Sequence, residues 1–284
     1  MKYQKKNCKV VFYSDELNDD FAGTNVKKKK QVDGKFVYIR KNIFFRIGAF
    51  ILYRLIATPL VFLYCKIVYG YKIKNKKVLK GYKKKGLVMY GNHTLLTGDA
   101  FLPTLVNFPK KAYILSSQDA VSIKGIGTIV KMLGCIPVAS ELSGSMRCFR
   151  TVKTRVVDEK ALLMIYPEAH IWPYCDFIRN FKDASFHYPV SLGVPSFCTT
   201  VVLKRRKFLP NLFKRPKIEV WVDGPFFAPG DLTSKEQQKW LRDAVYKKMV
   251  ERSKLGNYTY IKYVKKEESV DEFLEDDENC QLVV

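Results

Sequence analysis

The chain has few histidines and none of the common metal-binding cysteine patterns. Only three of its 284 residues are histidine, at positions 93, 170 and 187. Its seven cysteines form no C-x-x-C pair and have no zinc-finger spacing, and an odd number cannot all pair with one another. We therefore expect reduced thiols in a cytosolic setting.

The sequence also lacks a secretory signal and an unbroken transmembrane run. The opening MKYQKKNCKVVFYSDELNDDF reaches acidic side chains before any apolar stretch of sufficient length, so no export signal is predicted. Residues 43–70 are apolar almost throughout, but three cations and a proline interrupt them: Arg46, Arg54, Lys66 and Pro59. A spanning helix needs about 20 apolar residues, and an arginine at mid-bilayer costs roughly 2.5–3.5 kcal/mol. We therefore predict one or two helices lying in the membrane interface and hinged at Pro59, with a buried core helix as the alternative.

The charge of the chain is strongly positive and unevenly distributed. The formal net charge is +23, but eight acidic residues fall between positions 267 and 278, so the rest carries about +31. Lysine-rich runs at 27–30 and 72–85 flank the apolar segment on both sides. Such a surface attracts polyanions, either nucleic acid or the anionic face of a bilayer. Because no zinc-finger, basic-zipper or RNP-type pattern accompanies these runs, the sequence favours the membrane.

After the apolar segment, short apolar runs alternate with helical patterns. The strand-like runs are at 87–90, 112–115, 135–138, 162–166, 197–203 and 218–222, and the helical patterns are at 99–107, 120–133, 145–159 and 234–253. This alternation is typical of an α/β domain with a mostly parallel central sheet flanked by helices. We predict a basic extension at 1–42 with an Asp-Gly hairpin turn, the membrane-interfacial helical segment at 43–70, the main domain at 71–265 and a flexible acidic tail at 266–284.

The stretch YGNHTLLTGDAFLP, residues 90–103, contains the histidine best placed for chemistry. His93 follows a predicted strand at its carboxyl end, where open α/β sheets bind ligands. On a continuous helix, six residues would place the side chains of His93 and Asp99 roughly 240° apart, at about 100° per residue, so the two can meet only across a loop. Gly91 and Gly98 supply backbone freedom for such a loop. The alternative is that Asp99 caps the next helix and His93 is an ordinary polar loop residue.

A second polar group follows the predicted strand at 162–166. The stretch IYPEAHIWP, residues 165–173, places Glu168 and His170 just beyond the end of that strand. Because parallel strands end at the same edge of a sheet, we expect Glu168 to lie beside His93.

Several motifs, in this order, resemble those of glycerolipid acyltransferases of the lysophosphatidic acid acyltransferase type. The matches are GNH with the following aspartate at 91–99, LGCIP at 133–137, IYPEA at 165–169, FKDAS at 181–185 and GVPSF at 193–197. The first resembles the family's His-Asp box and the third its Pro-Glu block. The resemblance covers about residues 45–225 and implies that the main domain, 71–265, is an acyltransferase domain.

The chain departs from the family pattern mainly where the acceptor phosphate would bind. Five residues instead of the usual four separate His93 from Asp99, and Ser140 stands where the second block has an arginine. The usual Gly-Thr-Arg of the third block is Ala-His-Ile at 169–171, and Cys198 replaces the second proline of the last block. The resemblance therefore supports the catalytic pair more directly than the identity of the acceptor.

The resemblance implies a role for each matching residue. His93 would be the general base that accepts the proton of an acceptor hydroxyl while that oxygen attacks an acyl thioester, and Asp99 would orient the imidazole. Glu168 would hold the glycerol part of the acceptor or neighbouring loop amides. The candidates for binding the acceptor phosphate are Arg179, Lys182, Arg147 and Arg150. His170 is a further candidate polar ligand of the substrate, with a structural role as the alternative. For the four cations the alternative is a solvated basic face.

The expected partners are the anionic membrane surface on the cytoplasmic side, a lysophospholipid acceptor, and acyl-CoA or an acyl carrier protein as donor. Neither a cofactor nor nucleic acid is implied. A non-catalytic peripheral membrane protein that binds lipid with the same fold is one alternative. A metal-dependent hydrolase with His93, Asp99, Glu168 and His170 as ligands is another, although the chain has no H-E-x-x-H spacing.

Overall fold

Two sheets organise the computed structural model, which describes residues 3–22, 31–122, 125–139, 141–206, 215–266 and 280–282. The strands are β1 (Tyr3–Tyr13), β2 (Lys72–Lys74), β3 (Leu87–Gly91), β4 (Ala112–Ser116), β5 (Cys135–Pro137), β6 (Leu162–Ile165), β7 (Ser196–Lys204), β8 (Lys217–Phe226), β9 (Tyr258–Lys265) and β10 (Cys280–Leu282). The larger sheet has the order β2-β8-β7-β3-β6-β4-β5, and every neighbouring pair in it is parallel except β7 with β8. The predicted mostly parallel sheet is therefore confirmed.

Helices cover both faces of the large sheet. They are α1 (Ile43–Phe50), α2 (Thr58–Tyr69), α3 (Gly98–Val106), α4 (Asp119–Ser122), α5 (Gly127–Met132), α6 (Leu142–Lys153), α7 (His187–Leu192) and α8 (Ser234–Ser253). Successive residues of a strand point to opposite faces. Accordingly Leu87 and Met89 of β3 pack with α2 and α3, whereas Val88 and Tyr90 pack with α6 and α8. The α/β class predicted from the sequence is confirmed.

Residues 43–69 form one continuous helix, here called the long helix, and the predicted hinge at Pro59 is wrong. A π-helical turn, Ile51–Ala57, joins α1 to α2 immediately before the proline. A proline inside a helix cannot donate a backbone hydrogen bond, and a π turn is one way to absorb that disruption. The hydroxyl of Thr58 donates to the carbonyl of Tyr53 at 2.7 Å within this turn. The helix therefore passes Pro59 without breaking.

Most of the long helix is exposed. Only 17% of its most apolar window is buried, and the mean hydropathy of that window is 1.8. Length and composition alone would allow the helix to cross a membrane, and core helices of soluble proteins can meet the same two criteria. The exposed large apolar side chains include Phe44, Ile47, Phe50, Ile51, Leu55, Leu60, Phe62, Leu63 and Ile67. The low burial disagrees with the alternative of a buried core helix.

The N-terminal segment differs from the expected hairpin. Residues 31–39 contain a turn, in which the amide of Phe36 donates to the carbonyl of Asp33, but no strand flanks it. Val32 and Phe36 are instead buried against Val121 and Ala139, so tertiary packing replaces the strand pairing. The hairpin prediction is wrong.

The smaller sheet was not predicted from the sequence. It has the order β10-β1-β9, with β1 parallel to both neighbours. The lysine run at 27–30 and the predicted acidic tail, apart from β10 and residue 266, lie outside the described residues.

Candidate active site

His93 and Asp99 are in contact at the carboxyl edge of the large sheet. His93 follows β3, Asp99 is the second residue of α3, and Nδ1 of His93 lies 2.8 Å from Oδ2 of Asp99. The same oxygen accepts the backbone N–H of Leu95 at 2.9 Å. Burial raises the pKa of the Asp99 carboxyl, and the hydrogen bond with His93 opposes that rise. The predicted contact across the five-residue connector is confirmed.

Hydrogen bonds to neighbouring segments hold the loop between β3 and α3. The side chain of Asn92 donates to the carbonyl of Val201 at 3.1 Å and accepts the amide of the same residue at 2.8 Å. On the other side, the amide of Trp172 donates to the carbonyl of His93 at 3.1 Å. The imidazole is therefore presented from a fixed backbone.

The two glycines of this region contribute space rather than unusual backbone angles. Neither Gly91 nor Gly98 has a φ between +20° and +160°. A Cβ atom on Gly91 would lie 2.3 Å from Cε of Met164 and 3.0 Å from Cε1 of Tyr166. A Cβ atom on Gly98 would lie 2.9 Å from that of Leu95. The expectation that these glycines supply backbone freedom is therefore wrong: they are glycines because neighbouring side chains approach them closely.

Glu168 holds the loop that carries His93 through hydrogen bonds. It accepts the backbone N–H of His93 at 2.9 Å, as well as the backbone N–H of Arg179 at 3.1 Å and its Nη2 at 2.9 Å. Glu168 is 4% exposed and Arg179 is fully buried. Burial raises the pKa of the Glu168 carboxyl, and the adjacent guanidinium opposes that rise. Of the two roles expected for Glu168, contact with loop amides is the one that the structure contains.

The candidates for phosphate binding fall into separate places. Arg179 is occupied by Glu168, and it also donates to the carbonyl of His170. Arg147 and Arg150 are exposed on α6, which covers the face of the sheet opposite α3, and Lys182 is exposed beyond the Pro-Glu block. Their role in binding an acceptor stays a prediction.

Sequence reasoning missed Tyr166. Its ring stacks on the His93 imidazole, with the ring centroids 4.4 Å apart and the planes 12° from parallel, and its hydroxyl donates to the backbone carbonyl of Asp99. The residue occupies the aromatic position directly before Pro167-Glu168, at the end of β6. An aromatic residue next to Glu168, a carboxylate already expected near His93, was the signal that could have identified Tyr166 as part of the site.

A second unforeseen group joins the long helix to the histidine loop. The hydroxyls of Tyr64 and Tyr69 lie 2.8 Å and 3.2 Å from Oγ1 of Thr97, the residue before α3. The guanidinium of Arg215 is close enough to Tyr64 to interact with it electrostatically. These tyrosines looked like part of an apolar helix, and no motif connects Arg215 with residue 97, so the sequence carried no signal for this group.

The ligands of the alternative metal site do not converge. Within the part of the chain that the structure describes, no three His, Cys, Asp or Glu side chains are grouped in a way that could hold a metal ion. Glu168 is paired with Arg179, and Nδ1 of His170 lies 3.8 Å from Oδ2 of Asp20. The geometry therefore offers no support to the metal-dependent hydrolase.

A histidine paired with a buried carboxylate at the ligand-binding edge of an α/β sheet is an arrangement suited to removing a proton from a hydroxyl. The family model for the acyltransferase domain matches residues 71–202. That stretch is an acyltransferase-family domain, and the family resemblance of the motifs is confirmed.

The chain is also similar to a solved structure, the crystal structure of the 1-acyl-sn-glycerophosphate (LPA) acyltransferase PlsC from Thermotoga maritima. The two chains are 14% identical, and the match covers 74% of this chain and 87% of that one with a TM-score of 0.49. The search of curated proteins found no match.

Proposed function

We propose that this protein transfers a fatty acyl group from a thioester donor to a hydroxyl of a lysophospholipid or related glycerolipid at a membrane surface. The contact between His93 and Asp99, inside a domain of the acyltransferase family, is the observation that carries the proposal. The donor is acyl-CoA or an acyl carrier protein, since both present an acyl thioester and both suit a cationic surface.

The direction of the hydrogen bond assigns the proton to one ring nitrogen. An ionised carboxylate can only accept hydrogen bonds, so we assign Nδ1–H of His93 as the donor to Oδ2 of Asp99, the oxygen that also accepts the amide of Leu95. Nε2 of the neutral imidazole then carries the lone pair and can accept a proton. Asp99 fixes this tautomer and stabilises the imidazolium once it forms.

The reaction follows from that assignment. The acceptor hydroxyl gives its proton to Nε2 of His93 while its oxygen attacks the thioester carbonyl carbon. The tetrahedral intermediate expels the thiolate, which takes the proton from the imidazolium, leaving an ester and a free thiol. General-base assistance of this kind accelerates a reaction by about 10²–10⁴-fold. Tyr166 and Glu168 act as positioning residues, because one stacks on the ring and the other holds the amide of His93.

The acceptor phosphate needs cations that are not already neutralised. Arg179 is fully buried and paired with Glu168, so it holds the loop rather than a substrate. We add Arg215 to the candidates, because it borders Tyr64, which contacts the loop that carries His93. A guanidinium at this position could bind a phosphate with paired hydrogen bonds. Lys182 remains a second candidate from the family block.

The long helix gives the site access to lipids. The protein holds one side of this helix at two places. The hydroxyl of Tyr53, near the middle, contacts Thr104 and Ala112, and that of Tyr64, in the C-terminal part, contacts Thr97. Its other side presents large apolar side chains, and such a helix suits the membrane interface. The helix would therefore lie on the cytoplasmic surface of the membrane, with its C-terminal end next to the acyl-transfer site.

The experiment is product analysis by mass spectrometry. The purified protein in zwitterionic micelles is incubated with a mixture of lysophospholipids and acyl thioesters, and the same is done with His93→Ala. The proposal expects a newly acylated phospholipid and an equal amount of free thiol with the wild-type protein, and neither with the variant. Equal product from both proteins would contradict the catalytic role of His93. Membrane binding without any product from the wild-type protein would favour the non-catalytic alternative.

A further inference from the structure

A cation-lined cavity lies at the edge of the sheet opposite the acyl-transfer site. It is bounded by the first turns of the long helix, the start of β4 and the residues just before β5 and β6. For example, Glu159 lies before the start of β6 and lines the cavity, whereas Glu168 lies after the end of β6 at the site of His93. The two sites therefore occupy opposite ends of the same parallel strands.

The charge of the cavity wall is one-sided. Its volume is about 280 Å³, and its charged lining consists of Glu159 and six cations, namely Arg40, Arg46, Arg54, Lys111, Lys131 and Arg155. Glu159 is already engaged, because it pairs with Arg155 and accepts the hydroxyl of Tyr113 at 3.2 Å. Burial, reinforced by Arg155, lowers the pKa of Lys111 to about 8. Such crowding of like charges is relieved when an anion enters.

The cavity offers hydrogen-bond donors as well as charge. Arg46 and Arg54 line it, and each guanidinium carries five N–H donors in a planar group that suits a phosphate. The charged nitrogen of Lys111 lies 4.8 Å from the ring centre of Tyr53 and 5.0 Å from that of Tyr113. These rings hold the ammonium in place without neutralising it. An oxyanion could therefore receive charge-assisted hydrogen bonds here.

The long helix indicates which anion would fit. Phe45, Ala49 and Phe50 line the cavity, whereas Phe44 and Ile47 in the same turns are exposed apolar side chains. A ligand with a phosphate in the cavity could therefore continue as acyl chains along the exposed side of the helix. A free phosphate ion would make no use of that neighbouring surface.

We propose that this cavity binds the phosphate headgroup of an anionic phospholipid from the membrane on which the long helix lies. The site is separate from the site of acyl transfer, and it ties the protein to anionic regions of the bilayer. The inference rests on the membrane association stated under the proposed function, but it does not rest on the chemistry of His93.

The test is calorimetric titration of the full chain in zwitterionic micelles with short-chain phosphatidylglycerol, short-chain phosphatidylcholine and inorganic phosphate as separate probes. Loss of two charge-assisted contacts in Arg46→Gln/Arg54→Gln should weaken phosphatidylglycerol binding at least roughly tenfold. The matched control is Lys239→Gln/Lys254→Gln, which removes two exposed charges from and just after α8. The control should bind as the wild-type protein does, and phosphatidylcholine should not bind.

Other outcomes would overturn the proposal. Equal weakening in both double variants would show that diffuse surface charge is responsible, and binding of inorganic phosphate as tight as that of the lipid would show a soluble phosphate ester site. His93→Ala should bind phosphatidylglycerol unchanged, which separates failure here from failure of the acyl-transfer proposal. If the double variant loses its circular-dichroism spectrum, Arg46→Gln alone, a change at an exposed residue, decides the matter with an expected weakening of severalfold.

Discussion

Removing Arg179 from its buried pair with Glu168 should destabilise the protein far more than removing an exposed cation such as Arg150. Arg179 is fully buried, and its removal would leave the carboxylate of Glu168 enclosed with only backbone donors, from His93 and from residue 179 itself. Removing one partner of a buried ion pair costs about 3–5 kcal/mol. Since 1 kcal/mol moves the Tm of a domain of this size by about 2–4 °C, Arg179→Met should lower the Tm by roughly 6–20 °C.

The assay is thermal unfolding followed by circular dichroism in the same detergent for all proteins. The control is Arg150→Met, the same substitution at an exposed position of α6, which should change the free energy of unfolding by less than about 0.5 kcal/mol. The deficit of Arg179→Met should also shrink as the pH falls from 7 toward 4.5. Burial raises the pKa of Glu168, so in the folded variant this carboxyl binds a proton before the unfolded chain does. Equal Tm values for the two variants would refute the reasoning.

Three further predictions concern the site and the membrane. Asp99→Asn should lower kcat by about 10²–10⁴-fold with little change in KM, because an asparagine side chain no longer enforces the Nδ1–H tautomer of His93. The rate of thiol release measures kcat, and an unchanged kcat would contradict the orienting role of Asp99. Tyr166→Phe keeps the stacked ring and should retain most of kcat. Tyr166→Leu should lower kcat about tenfold at similar KM, because no ring then orients His93. Equal rates for the two variants would contradict the positioning role of Tyr166. The side chain of Leu55 is 62% exposed on the long helix. Leu55→Glu should weaken co-flotation with phosphatidylcholine–phosphatidylglycerol vesicles at least about tenfold, because an apolar contact with the membrane is lost, and should leave acyl transfer in micelles intact. Undiminished co-flotation would contradict the placement of the helix in the membrane interface.

The main features of the fold could be predicted because local patterns and packing agree there. Every apolar run assigned to a strand overlaps a strand, although Val138 and Tyr166 lie just beyond the ends of β5 and β6. The clearest case is β3, which is buried on both faces and reads as a nearly continuous apolar sequence. The smaller sheet escaped prediction because β1 pairs with β9, which lies at the other end of the chain. No local pattern carries information about a partner at that distance. The hairpin failed for the opposite reason, since a genuine turn signal does not specify whether the flanking residues pair.

The central part of the site could be predicted from sequence, and its supporting residues could not. His93 and Glu168 each follow a strand of the parallel sheet, so the sequence places both at one edge of the sheet. In the structure the two residues meet at that edge. Arg179 was expected to face a substrate, but burial makes a partner obligatory for a charged group, and Glu168 is that partner. Such a pairing depends on the path of the loop after Pro167. Spacing alone does not determine that path.

The most direct test of the central claim compares acyl transfer by two histidine variants under one set of conditions. His93 contacts Asp99, whereas the Nδ1 nitrogen of His187 donates to the backbone carbonyl of Ala184 away from that pair. His93→Ala should lower kcat/KM for lysophospholipid acylation by at least about 10²-fold, while His187→Ala should stay within about threefold of the wild-type protein. Wild-type turnover by His93→Ala, or an equal loss in both variants, would contradict this prediction.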